Sequence, residues 1–333
     1  MRKAEIFGEI KSGAPVHRLA LRGGGLRLSL LTLGAIVQDL RHDALPFPLV
    51  LGAETLAPYL GPMQYFGAIV GRFANRIARG QFTLDGASFQ TALNFRDRHT
   101  LHGGPEGSSA QIWQVDAHEP DRARLSLEMA DGAMGFPGHL RVTCDIALPG
   151  DGVLAFDLHA TADRATPCSF AHHGFFTLDD AGDLAHHRLH VAAEHVLAVD
   201  DDLIPTGALA PVAGTGLDFR QARGVIDAPI DHNFCLATAP WTPLRPVARL
   251  ESRLSGASME LATTQPGLQV YNAAYIPPEG YPGLGGRRYG AFAGLALEAQ
   301  AWPDAPNHAQ FPDAILRPGA AWEHRSTYRI TPR

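Results

Sequence analysis

The sequence predicts an all-β protein, built as a large antiparallel β-sandwich with few short helices. Two observations lead to this fold class. Apolar and polar residues alternate with a period of two in many short segments, and such alternation marks strands that place one face on a core. The 35 glycines and 25 prolines are spread along the 333 residues, and many short strands separated by Gly/Pro turns are typical of a sandwich or barrel.

The individual elements follow from this alternation and from the turn residues. The clearest period-two segments lie at 26–30, 125–127, 140–148, 154–158 and 259–261. Asp85-Gly86 stands between two apolar runs, which is a strong hairpin signal, and 149–152 has the same character between two further strands. Residues 54–60 are expected to form one or two turns of helix. No linker, repeat or low-complexity segment divides the chain, so we expect a single domain of residues 1–333.

Charge and composition exclude several classes of protein. The net charge is −6 and no basic stripe is present, so nucleic acid is not expected as a partner. No apolar run approaches the roughly 18 residues of a membrane span, and no signal-peptide core follows the charged start. Three widely separated cysteines suggest reduced thiols, which indicates a cytoplasmic protein. The expected assembly is a monomer or weak homodimer.

The glycine-rich patches and paired histidines do not form a cofactor or metal motif. Neither 23–25 nor 283–286 has the strand–loop–helix context of a nucleotide site. Histidines occur at 99 and 102, 172 and 173, and 186 and 187, but no cysteine or carboxylate cluster completes a tetrahedral set. We therefore expect neither a metal nor a cofactor.

One carboxylate and one imidazole stand out as candidate acid–base groups. On the strand expected at 294–300, Glu298 shares a face with Ala296 and Gln300, and the small neighbours leave room for a ligand. The pattern alone leaves a solvated glutamate on an outer sheet face as an alternative. His173 lies in an apolar, aromatic stretch that suits a titrating histidine, with packing as the alternative.

A further segment offers hydrogen-bond donors for sugar hydroxyls. Asn75 and Arg76 follow Gly71 and Arg72 in a short polar stretch, and their amide and guanidinium groups present several donors in fixed geometry.

Taken together, these segments resemble the aldose 1-epimerase (galactose mutarotase) family. The matches run in the family's order along nearly the whole chain: Gly-Arg-Phe-Ala-Asn-Arg-Ile at 71–77, Leu-His-Gly-Gly at 101–104, His173 with Phe175 and Phe176, Leu-Ile-Pro-Thr-Gly at 203–207, Asp-His-Asn-Phe-Cys-Leu at 231–236, Thr-Thr-Gln-Pro-Gly at 263–267, and Leu-Glu-Ala-Gln-Ala-Trp-Pro-Asp at 297–304. The last of these and the Asp-His-Asn-Phe piece are the most specific.

The resemblance implies a mutarotase-like supersandwich with an open carbohydrate cleft, no cofactor and a monosaccharide substrate. It implies Glu298 as general base and His173 as general acid. It also implies that the sugar is contacted by a set of mostly polar side chains: Asn75, Arg76, His102, Asp231 and Gln265. Phe175, with Phe176 and Trp302 as further candidates, would offer an apolar face to the sugar ring. Arg72 is expected to support the cleft rather than to touch sugar.

One stretch departs from the family's pattern. Where the family reads Asn-His-Ser-Tyr-Phe-Asn-Leu, this chain reads His-His-Gly-Phe-Phe-Thr-Leu at 172–178. The expected reaction is the interconversion of α and β anomers, with a galactose- or glucose-like hexose favoured. The departure keeps two alternatives open: a pentose or deoxy sugar as substrate, and His172 as the acid. A carbohydrate-binding protein without turnover and a glycoside hydrolase that pairs Asp231 with Glu298 are further alternatives.

Overall fold

The computed structural model describes residues 4–333, and β-strands dominate this range. The strands of the first part are β1 (Glu5–Glu9), β2 (Pro15–Gly23), β3 (Leu26–Leu31), β4 (Val37–His42), β5 (Ile69–Val70), β6 (Arg76–Ile77), β7 (Gln81–Leu84), β8 (Ala87–Gln90) and β9 (Thr100–Leu101). Those of the middle part are β10 (Gln114–His118), β11 (Arg122–Met129), β12 (Leu140–Gly150), β13 (Val153–Ala162), β14 (Thr166–Pro167), β15 (Ala171–His172), β16 (Phe175–Phe176), β17 (His187–Val191), β18 (His195–Val199) and β19 (Pro205–Pro211). The last part contributes β20 (Arg223–Gly224), β21 (Asp231–Cys235), β22 (Arg245–Ser252), β23 (Ser258–Thr263), β24 (Gly267–Tyr271), β25 (Tyr281–Pro282), β26 (Arg288–Tyr289), β27 (Leu295–Gln300), β28 (Ile315–Leu316) and β29 (Trp322–Thr331).

Helical structure within residues 4–333 is limited to short 3₁₀ turns. They lie at Ala57–Leu60, Ala78–Gly80, Ser108–Ala110, Ala133–Gly135, Leu284–Gly286 and Ala305–Asn307. The helix expected at 54–60 is therefore a single 3₁₀ turn. None of these turns has the length and apolar character that crossing a membrane requires.

A nine-stranded antiparallel sheet forms one layer, in the order β10-β11-β12-β13-β29-β23-β22-β17-β20. The period-two segments predicted from the sequence lie in its strands and in β3. In β12, Leu140, Val142 and Cys144 are buried while Arg141 is exposed, as the alternation predicts. The predicted turns at 85–86 and 149–152 connect β7 to β8 and β12 to β13.

A six-stranded sheet forms the facing layer, in the order β16-β27-β24-β21-β18-β19. One hydrophobic core joins the two sheets and includes Leu158 and Leu261 from the first and Leu268 and Leu297 from the second. The Tyr328 hydroxyl of β29 donates a hydrogen bond of 3.0 Å to the Leu297 carbonyl of β27 across this core. The predicted β-sandwich is confirmed.

Arg72 is fully buried in the interior of the protein. Its guanidinium donates hydrogen bonds of 2.9 and 2.7 Å to the carbonyls of Pro137 and Gly138, and one of 3.1 Å to that of Met129. Burial lowers the pKa of Arg72 to about 10. The residue ties the segment before β6 to the loop between β11 and β12, as a supporting residue should.

Replacing Arg72 should therefore affect stability. Arg72→Leu leaves several buried carbonyls without a donor, so we expect the free energy of unfolding to fall by about 3–5 kcal/mol in urea titrations. The matched control is Arg124→Leu. Arg124 pairs with Asp145 at the surface, where its side chain is 55% exposed, and loss of an exposed pair costs roughly 1 kcal/mol or less. Equal losses in the two variants would contradict the role of Arg72.

Candidate active site

A cavity of about 500 Å³ opens where β21, β24 and β27 of the six-stranded sheet meet the loops around residues 62–66, 94–102 and 271–281. Its polar lining includes eight side chains: Asn75, Arg76, Arg96, His102, His173, Asp201, Asp231 and Glu298. Its apolar lining is mostly aromatic and includes Tyr65, Phe66, Phe95, Phe175, Tyr271, Tyr275 and Tyr281. A concave, largely apolar site with a few convergent polar groups is typical of small-molecule binding.

Glu298 stands on an interior strand of this sheet rather than on an exposed face. β27 pairs with β16 on one side and β24 on the other, so hydrogen bonds on both edges fix its backbone. The side chain is 2% exposed, so the alternative of a solvated outer glutamate is wrong. Its register partner on β24 is Gln269.

His173 faces Glu298 from the segment between β15 and β16. Its backbone N–H donates to the Ala68 carbonyl at 2.8 Å, and its carbonyl accepts from the Gly67 N–H at 2.9 Å. These bonds place the imidazole Nε2 3.5 Å from Glu298 Oε1. A small adjustment brings this pair to proton-transfer distance.

His102 completes a compact group with these two residues. Its Nδ1 accepts a hydrogen bond of 3.1 Å from the backbone N–H of Asn75, so the neutral ring carries its proton on Nε2. Burial lowers the pKa of His102 well below its ordinary value, aided by His173 and Arg76. Gly103, which follows at a φ of +84°, lies so close to the Gly71 carbonyl that a side chain would collide with it.

An ion-pair network forms the polar wall of the cavity. Arg76 Nη2 donates to Asp231 Oδ2 at 2.9 Å, and Arg76 Nη1 donates to Asn75 Oδ1 at 3.1 Å. Asp231 Oδ1 also accepts a hydrogen bond of 2.5 Å from Gln269 Nε2. The Arg76 strand is itself held by Asp304, whose N–H donates to the Arg76 carbonyl at 2.9 Å.

The structure brings seven of the eight sequence-predicted site residues to the cavity and places Gln265 elsewhere. The Gln265 side chain is buried and its Nε2 donates to the Glu323 carbonyl at 3.2 Å. Sequence reasoning missed Gln269, which stands four residues further along, inside β24. The available signal was period two, because a strand that begins at Gly267 places residues 267, 269 and 271 on the face that Glu298 occupies.

The two aromatic candidates beyond Phe175 lie outside the cavity. Phe176 stacks on Tyr328 in the core, with ring centroids 4.8 Å apart. The Trp302 indole N–H donates to the Pro266 carbonyl at 2.9 Å, and the ring packs on Phe311.

His172 is a core residue, so the structure does not support it as the alternative acid. Its ring stacks on Phe156 at 4.4 Å and lies edge-on to Tyr328. Burial lowers its pKa to about 3. The ring also occupies the space where a side chain at Gly174 would stand, so the histidine and the glycine are sterically matched.

Burial shifts both members of the facing pair toward their uncharged forms. It raises the pKa of Glu298 well above the ordinary value, with a further contribution from Asp231 and an opposing one from Arg76. It lowers the pKa of His173 to about 4, against smaller opposing effects of a backbone hydrogen bond and Asp231. Both shifts disfavour the doubly charged pair of carboxylate and imidazolium.

The same three side chains are also a possible set of metal ligands. The ligand atoms of His102, His173 and Glu298 lie within 4.8 Å of one another, and two imidazoles with one carboxylate suit zinc. The expectation of a metal-free site remains a prediction.

Sequence comparison identifies the group of proteins to which this site belongs. The profile of the family described as aldose 1-epimerase matches residues 17–329. The chain belongs to the aldose 1-epimerase family.

Related proteins align with almost the full length of this chain. Galactose mutarotase from Rattus norvegicus is 36% identical, with 98% of this chain and 97% of the relative aligned. The aldose 1-epimerase of Escherichia coli K12 is 32% identical over 96% of both chains. Among solved structures, an aldose epimerase homologue from C. elegans aligns with a TM-score of 0.88 and 28% identity, covering 95% of this chain and 99% of that one.

The positions of the two glutamines lead to a direct test in this family member. Gln269→Leu removes a donor to Asp231, so we expect KM for the sugar to rise about tenfold, which is within the cost of a lost hydrogen bond to a charged group. Gln265→Leu is the matched control and should leave KM near the wild-type value while lowering the unfolding midpoint. The assignment is wrong if Gln265→Leu raises KM and Gln269→Leu does not.

Proposed function

We propose that this protein interconverts the α and β anomers of a free aldose, with Glu298 as general base and His173 as general acid. The observation that carries the proposal is the buried carboxylate–imidazole pair, 3.5 Å apart, at the polar end of a cavity of about 500 Å³. Membership of the aldose 1-epimerase family supports the same reaction.

Anomer exchange requires one basic and one acidic group at the hemiacetal. Glu298 removes the proton from O1 while His173 protonates the ring oxygen O5, and the C1–O5 bond breaks to give the open-chain aldehyde. Rotation about C1–C2 presents the other face of the carbonyl. O5 then attacks C1, His173 takes back the O5 proton, and Glu298 returns a proton to O1.

The buried environment suits this cycle. Ring opening starts from carboxylate and imidazolium and ends with carboxylic acid and neutral imidazole, which is the charge distribution that burial favours. The Glu298–His173 pair carries the same number of protons before and after ring opening. A proton exchange between Glu298 and His173 therefore prepares the charged form from the neutral one without solvent.

The surrounding groups hold the sugar hydroxyls. Arg76, Asn75 and Asp231 present donors and acceptors already positioned by their mutual hydrogen bonds, which reduces the ordering that binding requires. His102 offers its Nε2 proton to the substrate. Gln269 acts through Asp231, whose carboxylate it positions.

Asp231 is poorly suited to serve as the second carboxylate of a glycosidase, because both of its oxygens accept hydrogen bonds from Arg76 and Gln269. A binding protein without turnover would not need the Glu298–His173 pair. These observations favour the epimerase over both alternatives.

A galactose- or glucose-like hexose is the favoured substrate. A pentose or deoxy sugar is the second candidate, supported by one observation. Phe175 stacks on Phe66 with ring centroids 4.2 Å apart, which gives the cavity an apolar wall where the family's tyrosine would bring a hydroxyl. We further propose a cytoplasmic location, in keeping with the three free cysteines, and a monomer or weak homodimer as the assembly.

Substitution of either acid–base residue should abolish most of the turnover. We expect Glu298→Gln and His173→Ala each to lower kcat by about a hundredfold or more, because each removes one proton-transfer group. Polarimetry on freshly dissolved α-galactose, α-glucose, arabinose and xylose measures this. Glu106→Gln, an exposed carboxylate outside the cavity, is the control. Wild-type rates in Glu298→Gln would refute the base.

The pH profile should reflect the shared proton. Below a pH of about 4, His173 becomes protonated and the pair then holds two protons. No base remains, so kcat/KM falls. Above the raised pKa of Glu298 the last proton leaves and no acid remains, so kcat/KM falls again. We expect a plateau that begins near 4 and ends where Glu298 gives up its proton, well above the ordinary carboxyl range. An acid limb near the ordinary histidine pKa of about 6.5 would contradict the lowered pKa of His173.

A further inference from the structure

The strand that presents Arg76 to the cavity is short, and its partner strand is equally short. β6 consists of Arg76 and Ile77, which pair with Leu101 and Thr100 of β9. Two residue pairs supply few backbone hydrogen bonds, so such a strand is weakly fixed by its own ladder. The position of Arg76 therefore depends on what holds the opposite edge of β6.

Asp304 occupies this opposite edge with both its backbone and its side chain. Its N–H donates to the Arg76 carbonyl at 2.9 Å, and its Oδ1 accepts a hydrogen bond of 2.9 Å from the Ala78 N–H. The carboxylate thus takes the place that the carbonyl of a neighbouring strand would have, and the two bonds bracket Ile77. The Asp304 side chain is 2% exposed, so water competes little for these bonds.

The conformation and the neighbours of Asp304 hold its carboxylate against β6. Asp304 has a φ of +58°, in the left-handed region that aspartate and asparagine enter more readily than most residues. The Asn307 side-chain amide donates to Asp304 Oδ1 at 2.7 Å and to the Gln81 carbonyl at 2.8 Å. His308 Nε2 lies 3.2 Å from Asp304 Oδ2. Both carboxylate oxygens are therefore restrained.

We infer that the Asp304 carboxylate is a positioning group for the proposed reaction: it fixes Arg76, and through Arg76 it aligns Asp231, without contacting the sugar. The inference rests on the proposed function. Asp304 lies outside the cavity, whereas Arg76 and Asp231 line it and form their ion pair of 2.9 Å there. Asp304 belongs to the segment that follows β27, so it also connects the strand of Glu298 to the strand of Arg76.

Asp179 provides a matched comparison elsewhere in the molecule. Its side chain is 1% exposed, its Oδ1 accepts from the Ala181 N–H at 3.0 Å, and its Oδ2 accepts from the Ser252 hydroxyl at 2.6 Å. His187 Nδ1 lies 3.5 Å from the same Oδ2. Asp179 therefore resembles Asp304 in burial and in bonding, but it contacts the end of β22 rather than β6.

The test removes each carboxylate in turn and measures KM and kcat for galactose by polarimetry. Asp304→Gly keeps the left-handed conformation and the backbone bond to Arg76, because glycine adopts a positive φ without steric cost. Loss of the bond to Ala78 should raise KM about tenfold and change kcat by less than about threefold, since the acid–base pair stays in place. Asp304→Asn retains an oxygen acceptor and should keep KM within about twofold of the wild type. Asp179→Ala should lower the unfolding midpoint and leave KM unchanged.

The possible outcomes separate this inference from the proposed function. A wild-type KM in Asp304→Gly, an equal rise of KM in Asp179→Ala, or no rescue by Asp304→Asn overturns the inference and leaves the epimerase in place. If the wild type turns over no sugar, the proposed function fails, and a crystal structure of Asp304→Gly decides the inference. Loss of the Arg76–Asp231 ion pair in that structure then supports it, and an unchanged pair overturns it.

Discussion

The site depends on keeping a carboxylate and an imidazole 3.5 Å apart in a pocket that excludes most water. Burying two ionisable groups costs free energy unless they share a proton or are compensated by neighbours. The sandwich meets this requirement by placing Glu298 on an interior strand, where hydrogen bonds along both edges hold the backbone still. His173 is held in turn by backbone hydrogen bonds to residues 67 and 68.

The polar groups around the pair come from segments far apart in the chain, and buried contacts bring them together. Arg76 meets Asp231 across 155 positions of sequence. The Asp304 N–H donates a hydrogen bond to the Arg76 carbonyl. The Arg72 guanidinium donates to the carbonyls of Pro137 and Gly138 and so anchors the segment before β6. The fold therefore preorganises this network. In the proposed function, that preorganisation reduces the entropic cost of fixing several sugar hydroxyls at once.

The two glutamines illustrate how far sequence reasoning reaches. Resemblance selected Gln265, because it lies in a matched stretch before Gly267. In the structure, the Gln265 amide donates a hydrogen bond to the Glu323 carbonyl. Gln269, two residues after the start of β24, donates to Asp231. The two glutamines have the same parity, so a period of two does not separate them. What separates them is that Gln265 lies before Gly267, where β24 begins, and therefore outside the register that pairs Gln269 with Glu298.

The amino-acid sequence by itself determined the fold class, the hairpin turns and the identity of Glu298 and His173 as candidates, because period-two alternation, turn residues and ordered family motifs are local properties of the chain. It also indicated that Arg72 supports the cleft rather than contacting the sugar. Only the tertiary structure decided that Glu298 is buried rather than solvated, that His172 belongs to the core, and that Gln269 rather than Gln265 contacts Asp231. These outcomes depend on which strands become neighbours, and that is set by the packing of distant segments rather than by any local pattern.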